Sequence, residues 1–172
     1  MNNATLCGVV LDVKFVSGEM PRCTITMRCN GVKIKATCWR KVAILASKIE
    51  HGSHCLVTGR VNIDTWPWEE KNIICADLKL NINSCEETRD GIDFSHVEIM
   101  GQVVKSYGEG SYMVLVERTV KGKVLTDYVP IKADRYLRNN TMVHVSGPMC
   151  ADSNGLNIAH KAIQASNLTE LY

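Results

Sequence analysis

Val32-Lys33-Ile34-Lys35-Ala36-Thr37 alternates apolar and polar residues, the pattern of a strand with one face in a core and the other in water. Thr24-Ile25-Thr26-Met27 precedes it, and Asn30-Gly31 between them is a two-residue hairpin signal. Along the first half, the pattern predicts five strands at roughly 4–15, 22–29, 32–42, 53–65 and 72–81. Only Lys41 to Glu50 has helical spacing, supplied by Val42, Ala43, Ile44, Leu45, Ala46 and Ile49 and stopped by His51-Gly52. Three strands, a helix and two strands is the element order of a closed five-stranded Greek-key barrel.

The same landmarks recur in the second half. Leu6-Cys7-Gly8-Val9-Val10 matches Ile99-Met100-Gly101-Gln102-Val103, and Val57-Thr58-Gly59-Arg60-Val61 matches Val145-Ser146-Gly147-Pro148-Met149. Between them, Thr37-Cys38-Trp39-Arg40-Lys41-Val42 pairs with Thr126-Asp127-Tyr128-Val129-Pro130-Ile131. The glycines are 51 residues apart in the first half and 46 in the second, so the order and spacing of the landmarks indicate an internal repeat. Glycine in the middle of a strand allows the sharp bend that a small barrel needs. Lys132 to Asn139 is expected to be the helix of the second copy. The domains then run over 1–82 and 96–172, with a polar, acidic linker at 83–95 that contains the Asp90-Gly91 turn signal.

Composition narrows the function. The chain has a net charge of +2, unevenly spread. Residues 1–80 hold eleven Lys/Arg against seven Asp/Glu, whereas residues 81–95 hold one against four. A weakly basic first half fits a polyanionic partner without requiring one. No apolar run is long enough for a membrane span, and the N-terminus has no signal-peptide pattern. The eight cysteines form no C-x-x-C pair, and several fall at apolar strand positions. Reduced thiols in a cytoplasmic or nucleoid-associated protein are therefore expected.

These motifs resemble bacterial single-stranded DNA-binding proteins. Leu6-Cys7-Gly8-Val9-Val10 is similar to the opening strand of that family, and Thr37-Cys38-Trp39-Arg40-Lys41-Val42 to its T-x-W-x-x-V strand. Gly52-Ser53-His54-Cys55-Leu56-Val57-Thr58-Gly59-Arg60-Val61 resembles its K-G-x-x-V-x-V-x-G-x-L segment, and Trp66 stands where the family has an aromatic on the hairpin from strand four to strand five. The chain is also reminiscent of primosomal replication protein N. The resemblance implies an all-β chain of two tandem OB-type five-stranded barrels, each with one short helix between strands three and four. It implies sequence-nonspecific binding and protection of single-stranded DNA in replication, recombination or repair. It also implies a homodimer or other homo-oligomer and contacts with replication or recombination proteins. The family's glycine-rich tail with an acidic tip has no counterpart in this sequence.

Single strands are bound by aromatic platforms and a positive groove, with each base stacked on an aromatic contributing roughly 1–3 kcal/mol. All three tryptophans, Trp39, Trp66 and Trp68, lie in the first copy. Lys33, Lys35, Thr37 and Trp39 alternate along one strand and share a face, while Cys38 points to the other. The candidate binding residues are Trp39, Trp66, Trp68, Lys33, Lys35, Arg40, Lys41, Arg60, Lys71 and, from the second copy, Tyr128 as the counterpart of Trp39. Lys14, Arg22 and Arg28 complete the basic set of the first copy. The second copy is expected to bind weakly or to serve dimerisation.

An enzyme is not expected, because the sequence has no phosphate loop, nucleophile elbow or H-E-x-x-H. His51, His54 and Cys55 suggest metal ligands, but the adjacent His54 and Cys55 would point to opposite faces of a strand. No metal or cofactor is expected. The rival function is a primosome-type adaptor whose barrels bind proteins and bind nucleic acid only weakly. RNA is a further candidate ligand, since stacking alone does not distinguish ribose from deoxyribose.

Overall fold

Strands form wherever the sequence alternates, and little else forms. The computed structural model describes residues 1–89, 91–152 and 161–171. In chain order the elements are β1 (Asn2–Val16), β2 (Arg22–Cys29), β3 (Val32–Trp39), α1 (Arg40–Ala46), β4 (His54–Trp68), β5 (Ile73–Thr88), β6 (Phe94–Gly108), β7 (Ser111–Val120), β8 (Lys123–Lys132), β9 (Met142–Gly147), β10 (Met149–Ala151), β11 (Lys161–Gln164) and β12 (Asn167–Leu171). A single 3-10 turn, Glu69–Lys71, joins β4 to β5. No helix among the described residues is long and apolar enough to cross a membrane. Asp90, half of the expected Asp90-Gly91 turn, lies outside the described residues.

The chain divides into two compact units. The first comprises Ala4–Arg60 and Lys79–His96; the second comprises Met1–Asn3, Val61–Leu78 and Val97–Tyr172.

In the first unit β1 pairs antiparallel with β2, and β2 with β3. β3 runs parallel to β5 through Ala36↔Leu80 and Thr37↔Asn81, β5 neighbours β4, and β4 returns antiparallel to β1 from Ala4↔Gly59 to Val9↔His54. These pairings close a ring around Leu6, Val10, Ile25, Met27, Ile34, Val57 and Leu80, with Cys23, Cys38 and Cys55 buried among them. The Asn30-Gly31 turn has positive φ at both residues, as a tight hairpin turn requires. α1 is shorter than its pattern suggests; it buries Ala43 and Ala46 and leaves Ile44 and Leu45 exposed.

In the second unit β6 pairs with β7, β7 with β8 and β6 with β9, all antiparallel, and β8 runs parallel to β11 through Ile131↔Ile163. β10 pairs with β11 and β12 with β9. Pro148 separates β9 from β10, since it has no N–H to give to a ladder. The core here is Val97, Ile99, Val103, Val114, Val116, Val129, Ile131, Leu137, Val143, Val145 and Ile163.

The repeated glycines are used for close approach. None of Gly8, Gly59, Gly101 or Gly147 has a positive φ. A Cβ on each would instead overlap a backbone carbonyl of the adjoining strand: Arg28, Asn81, Leu115 and Gln164, respectively.

Three local expectations change. First, no helix forms between β8 and β9. That segment holds only Ala133 and Leu137 as buried apolar residues, with Tyr136 exposed, so a helix would have too little to bury. Its backbone is satisfied otherwise: the Tyr112 hydroxyl accepts the Leu137 N–H at 3.0 Å and donates to the Arg135 carbonyl at 3.2 Å. Second, β5 runs on to Thr88, well past residue 81. Polar side chains on β4 hold the extension, for Thr58 donates to Asn83 Oδ1 at 2.7 Å and also meets the Ser84 hydroxyl. A polar stretch reads as loop only when its partners are left out. Third, Tyr128 is not the counterpart of Trp39. Gly59 overlies Asn81, which pairs with Thr37, and Gly147 overlies Gln164, which pairs with Lys132. Lys132 therefore takes the place of Thr37, and Tyr128 that of Lys33.

Candidate nucleic-acid interface

The two-residue turn at Asn30-Gly31 fixes the register of β2 against β3, and a bulge at Leu11 sets the register of β1. Before the bulge, outward positions on β1 are odd-numbered; after it they are Asp12, Lys14 and Val16. The outer wall of the first unit therefore carries cross-strand rows. Arg28 stands opposite Lys33; Asp12, Thr26 and Lys35 form the next row; Lys14, Thr24 and Thr37 follow; Val16, Arg22 and Trp39 end the series. Asp12, Lys14, Val16, Arg22, Thr24, Thr26 and Lys35 line a shallow cavity of about 190 Å³ on this wall. Trp39 is 40% exposed at its edge, while Cys38 beside it is fully buried.

This arrangement combines a flat ring, hydroxyls and cations on one sheet face. Lys33 and Lys35 are exposed, and Lys14 is held near Asp12 at 4.0 Å. Asp12 thus cancels part of the positive charge in the middle of the wall. At the far end, Asp93 caps the turn by accepting the Asn30 N–H at 3.0 Å and pairs with His54 at 2.8 Å. The Asn30 N–H, and next the His54 ring, hold the Asp93 carboxyl below the usual carboxylate range. His54 faces Asp93 while Cys55 points into the core, so the two neighbours serve different sides of β4.

The remaining candidates distribute as follows. Arg40 and Lys41 are exposed at the start of α1, directly after Trp39. Arg40 has a φ of 58°, and its N–H reaches the Pro21 carbonyl at 2.8 Å, which turns the chain out of β3. Arg60 is half-buried on β4, which pairs with Ala4–Val9 of β1 and not with the Asp12–Val16 stretch that carries the rows. Trp66, Trp68 and Lys71 belong to the second unit. There Trp66 is 41% exposed, and Lys71 Nζ stands 4.3 Å from the centroid of the Trp68 ring, a cation–π contact. Tyr128 is exposed on β8, and its backbone N–H donates to Asn62 Oδ1 at 2.9 Å.

The outer side of the second unit is chemically different. Lys132, in the position of Thr37, lies 3.6 Å from the buried carboxylate of Asp152, which also accepts the Ser111 hydroxyl at 2.8 Å. Lys161 is paired with Asp77. Arg118 is bound to Asp127 at 3.1 Å. The second unit therefore spends several of its cations on internal carboxylates.

Thr24 and Thr26 of β2, which stand opposite Thr37 and Lys35, are not among the sequence candidates, and Arg22, named there only as a basic residue, stands opposite Trp39. A two-residue turn at 30–31 implies that Cys29 faces Val32, and counting back from that pair places Arg22 opposite Trp39. The signal was therefore in the sequence.

No family model matches the sequence, and no curated protein matches it. Among solved structures, the wild-type single-stranded DNA binding protein from Thermus aquaticus is similar over 100% of this chain and 93% of its own, with a TM-score of 0.70 at 14% sequence identity. A deletion mutant of that protein is similar over 100% and 95%, with a TM-score of 0.70 at 13% identity. The chain has their fold. It is the all-β, OB-type fold of these single-stranded DNA binding proteins, and at this identity the likeness concerns the fold.

Proposed function

We propose that this chain binds single-stranded DNA without sequence preference, and that it is a binding protein and not an enzyme. The ring of strand pairings in the first unit, and the strand pairings of the second, are each read as one OB-type barrel, in two copies covering about 1–82 and 96–172. The observation that carries the reading is the outer wall of β1, β2 and β3. Trp39 offers a face for one base with Arg22 opposite it, and Lys35, then the Arg28–Lys33 row, continue along the same wall for phosphates. Thr24, Thr26 and Thr37 supply hydroxyls between them. Arg40 and Lys41 extend the positive charge past Trp39. Trp66, Trp68 and Tyr128 are proposed as further platforms, and Arg60 and Lys71 as secondary phosphate contacts. Work in replication, recombination or repair, and assembly as a homodimer or other homo-oligomer, are further parts of this proposal.

The test is fluorescence anisotropy of a labelled oligo-dT titrated with the full chain at two salt concentrations. Trp39→Ala is expected to weaken binding by about 2 kcal/mol, the cost of one lost stacking partner, with an unchanged circular dichroism spectrum. Unchanged affinity in the folded variant removes the β1–β2–β3 wall from the site. The Lys33→Ala/Lys35→Ala double variant is expected to reduce the steepness of log K against log salt by about 1.4, at about 0.7 for each single-strand phosphate contact. An unaltered slope means that neither lysine meets a phosphate. Absence of binding to oligo-dT and oligo-U even at low salt favours the protein-adaptor reading. Equal affinity for the two leaves the sugar unread.

A further inference from the structure

Six of the eight cysteines, Cys7, Cys23, Cys29, Cys38, Cys55 and Cys85, belong to the first unit. Two pairs of these are close. Cys23 and Cys38 are direct cross-strand partners on β2 and β3, and both are fully buried. Cys55 on β4 and Cys85 on β5 are closer, with their sulfur atoms 3.2 Å apart. Cys55 is fully buried, but Cys85 is only half-buried and lies between the exposed residues Ser84 and Glu86. One thiol of this pair can therefore be reached from water, and the other lies directly behind it.

The geometry points to Cys55 and Cys85 as a redox modification site, a thiol pair that low-molecular-weight disulfides convert to an intramolecular cross-strand disulfide. The chemistry follows from the placement. The Cys85 thiolate attacks the S–S bond of a small disulfide R–S–S–R, expels one R–S⁻ and forms a mixed disulfide. The Cys55 thiolate then attacks the Cys85 sulfur and expels the second R–S⁻. The two protons released by the cysteines are taken up by the two leaving thiolates. The protein loses two electrons, and one small disulfide becomes two thiols. The two thiols have opposite tendencies, and the roles are set by access: Cys85 is half-buried and Cys55 fully buried. While Cys85 is a free thiol, its hydrogen bond holds the Cys55 thiol below the ordinary thiol value despite burial. The same hydrogen bond, and then burial, push the Cys85 thiol up, so the first attack is the slow step.

The Cys23/Cys38 pair is the internal control. Burial pushes the Cys38 thiol up to about 12 and raises Cys23 as well, and neither sulfur has a route to solvent. The link between Cys55 and Cys85 would pin the outer extension of β5, now held by Thr58 through Asn83 and Ser84 and by the Glu50 N–H bonded to Glu87 at 3.3 Å.

The test treats the full chain with glutathione disulfide, alkylates the remaining thiols under denaturing conditions and maps the peptides by mass spectrometry. The expected result is a peptide joining Cys55 to Cys85, with Cys23 and Cys38 alkylated, and a melting temperature a few degrees higher than in the reduced chain. Cys55→Ser is expected to accumulate the glutathione adduct on Cys85, and Cys85→Ser to give neither adduct nor link. Eight alkylated cysteines, a Cys23–Cys38 link, a link between two chains, or a glutathione adduct persisting on Cys85 in the unsubstituted chain would each overturn the assignment. Mapping of the unsubstituted chain decides the matter even if either variant fails to fold.

Discussion

Arg118→Met lowers the stability of the chain by about 3 kcal/mol. Asp127 is completely buried on β8, in the interior position next to Tyr128. Its carboxylate accepts from Arg118 Nε at 3.1 Å and from the Asn2 side chain at 3.1 Å, and Asn2 in turn bonds the Val61 carbonyl at 2.7 Å. Removing the guanidinium takes a charged partner from a fully buried carboxylate, and less then offsets the desolvation cost of that charge. Broken buried pairs typically cost about 3–5 kcal/mol. The low end applies because Arg118 is partly exposed and Asn2 stays in place. The double variant Arg118→Met/Asp127→Leu recovers most of the loss, since no charge is left stranded. Urea unfolding of the four chains in the cycle measures both effects. A single variant as stable as the original would mean that Arg118 is not needed to hold the carboxylate.

Gly59→Ala costs a comparable amount, about 3 kcal/mol, at the upper end for overpacked sites. Its Cβ would overlap the Asn81 carbonyl oxygen and lie 2.8 Å from the carbonyl carbon. A rigid backbone has to move, where a flexible side chain would yield. The displaced strand is β5, whose parallel pairing with β3 closes the ring. Gly31→Ala provides the contrast. Gly31 has a φ of 80° with open space where its Cβ would go, so only backbone strain is added, about 1 kcal/mol. Equal unfolding midpoints for the two variants would show that β5 yields to the added methyl, and that close approach is not what fixes glycine at position 59.

The legible parts of the molecule were those governed by local rules. The period-2 alternation of Val32 to Thr37 and the Asn-Gly turn specified a hairpin, and Cys38 inside with Trp39 outside follows from alternation alone. The repeated glycines marked the places where strands approach most closely. What escaped depended on partners distant in sequence. Tyr128 was matched to Trp39 because a shift of six residues leaves every inward position inward, so alternation has no power to detect it. The extension of β5 through Asn83-Ser84-Cys85 reads as loop because its hydrogen bonds come from β4. Asp127 looks like a surface aspartate until Arg118 and Asn2 are placed beside it. The second helix failed for a different reason. The expectation came from the position of the segment in the repeat, but only Ala133 and Leu137 there had a core to enter. For the interface, alternation alone marks one strand of the wall, and its neighbour β2 follows only from the register that the 30–31 turn sets.

The three indoles are unequally shared. Trp39 is the one tryptophan of the first unit, whereas Trp66 and Trp68 are in the second, with a lysine ammonium over the latter ring. Intrinsic emission therefore mixes two sources that substitution can separate. A chain carrying Trp39→Phe reports solely on the second unit, and one carrying Trp66→Phe/Trp68→Phe reports solely on the first. Heating the two side by side would reveal which unit melts first, with no dye attached.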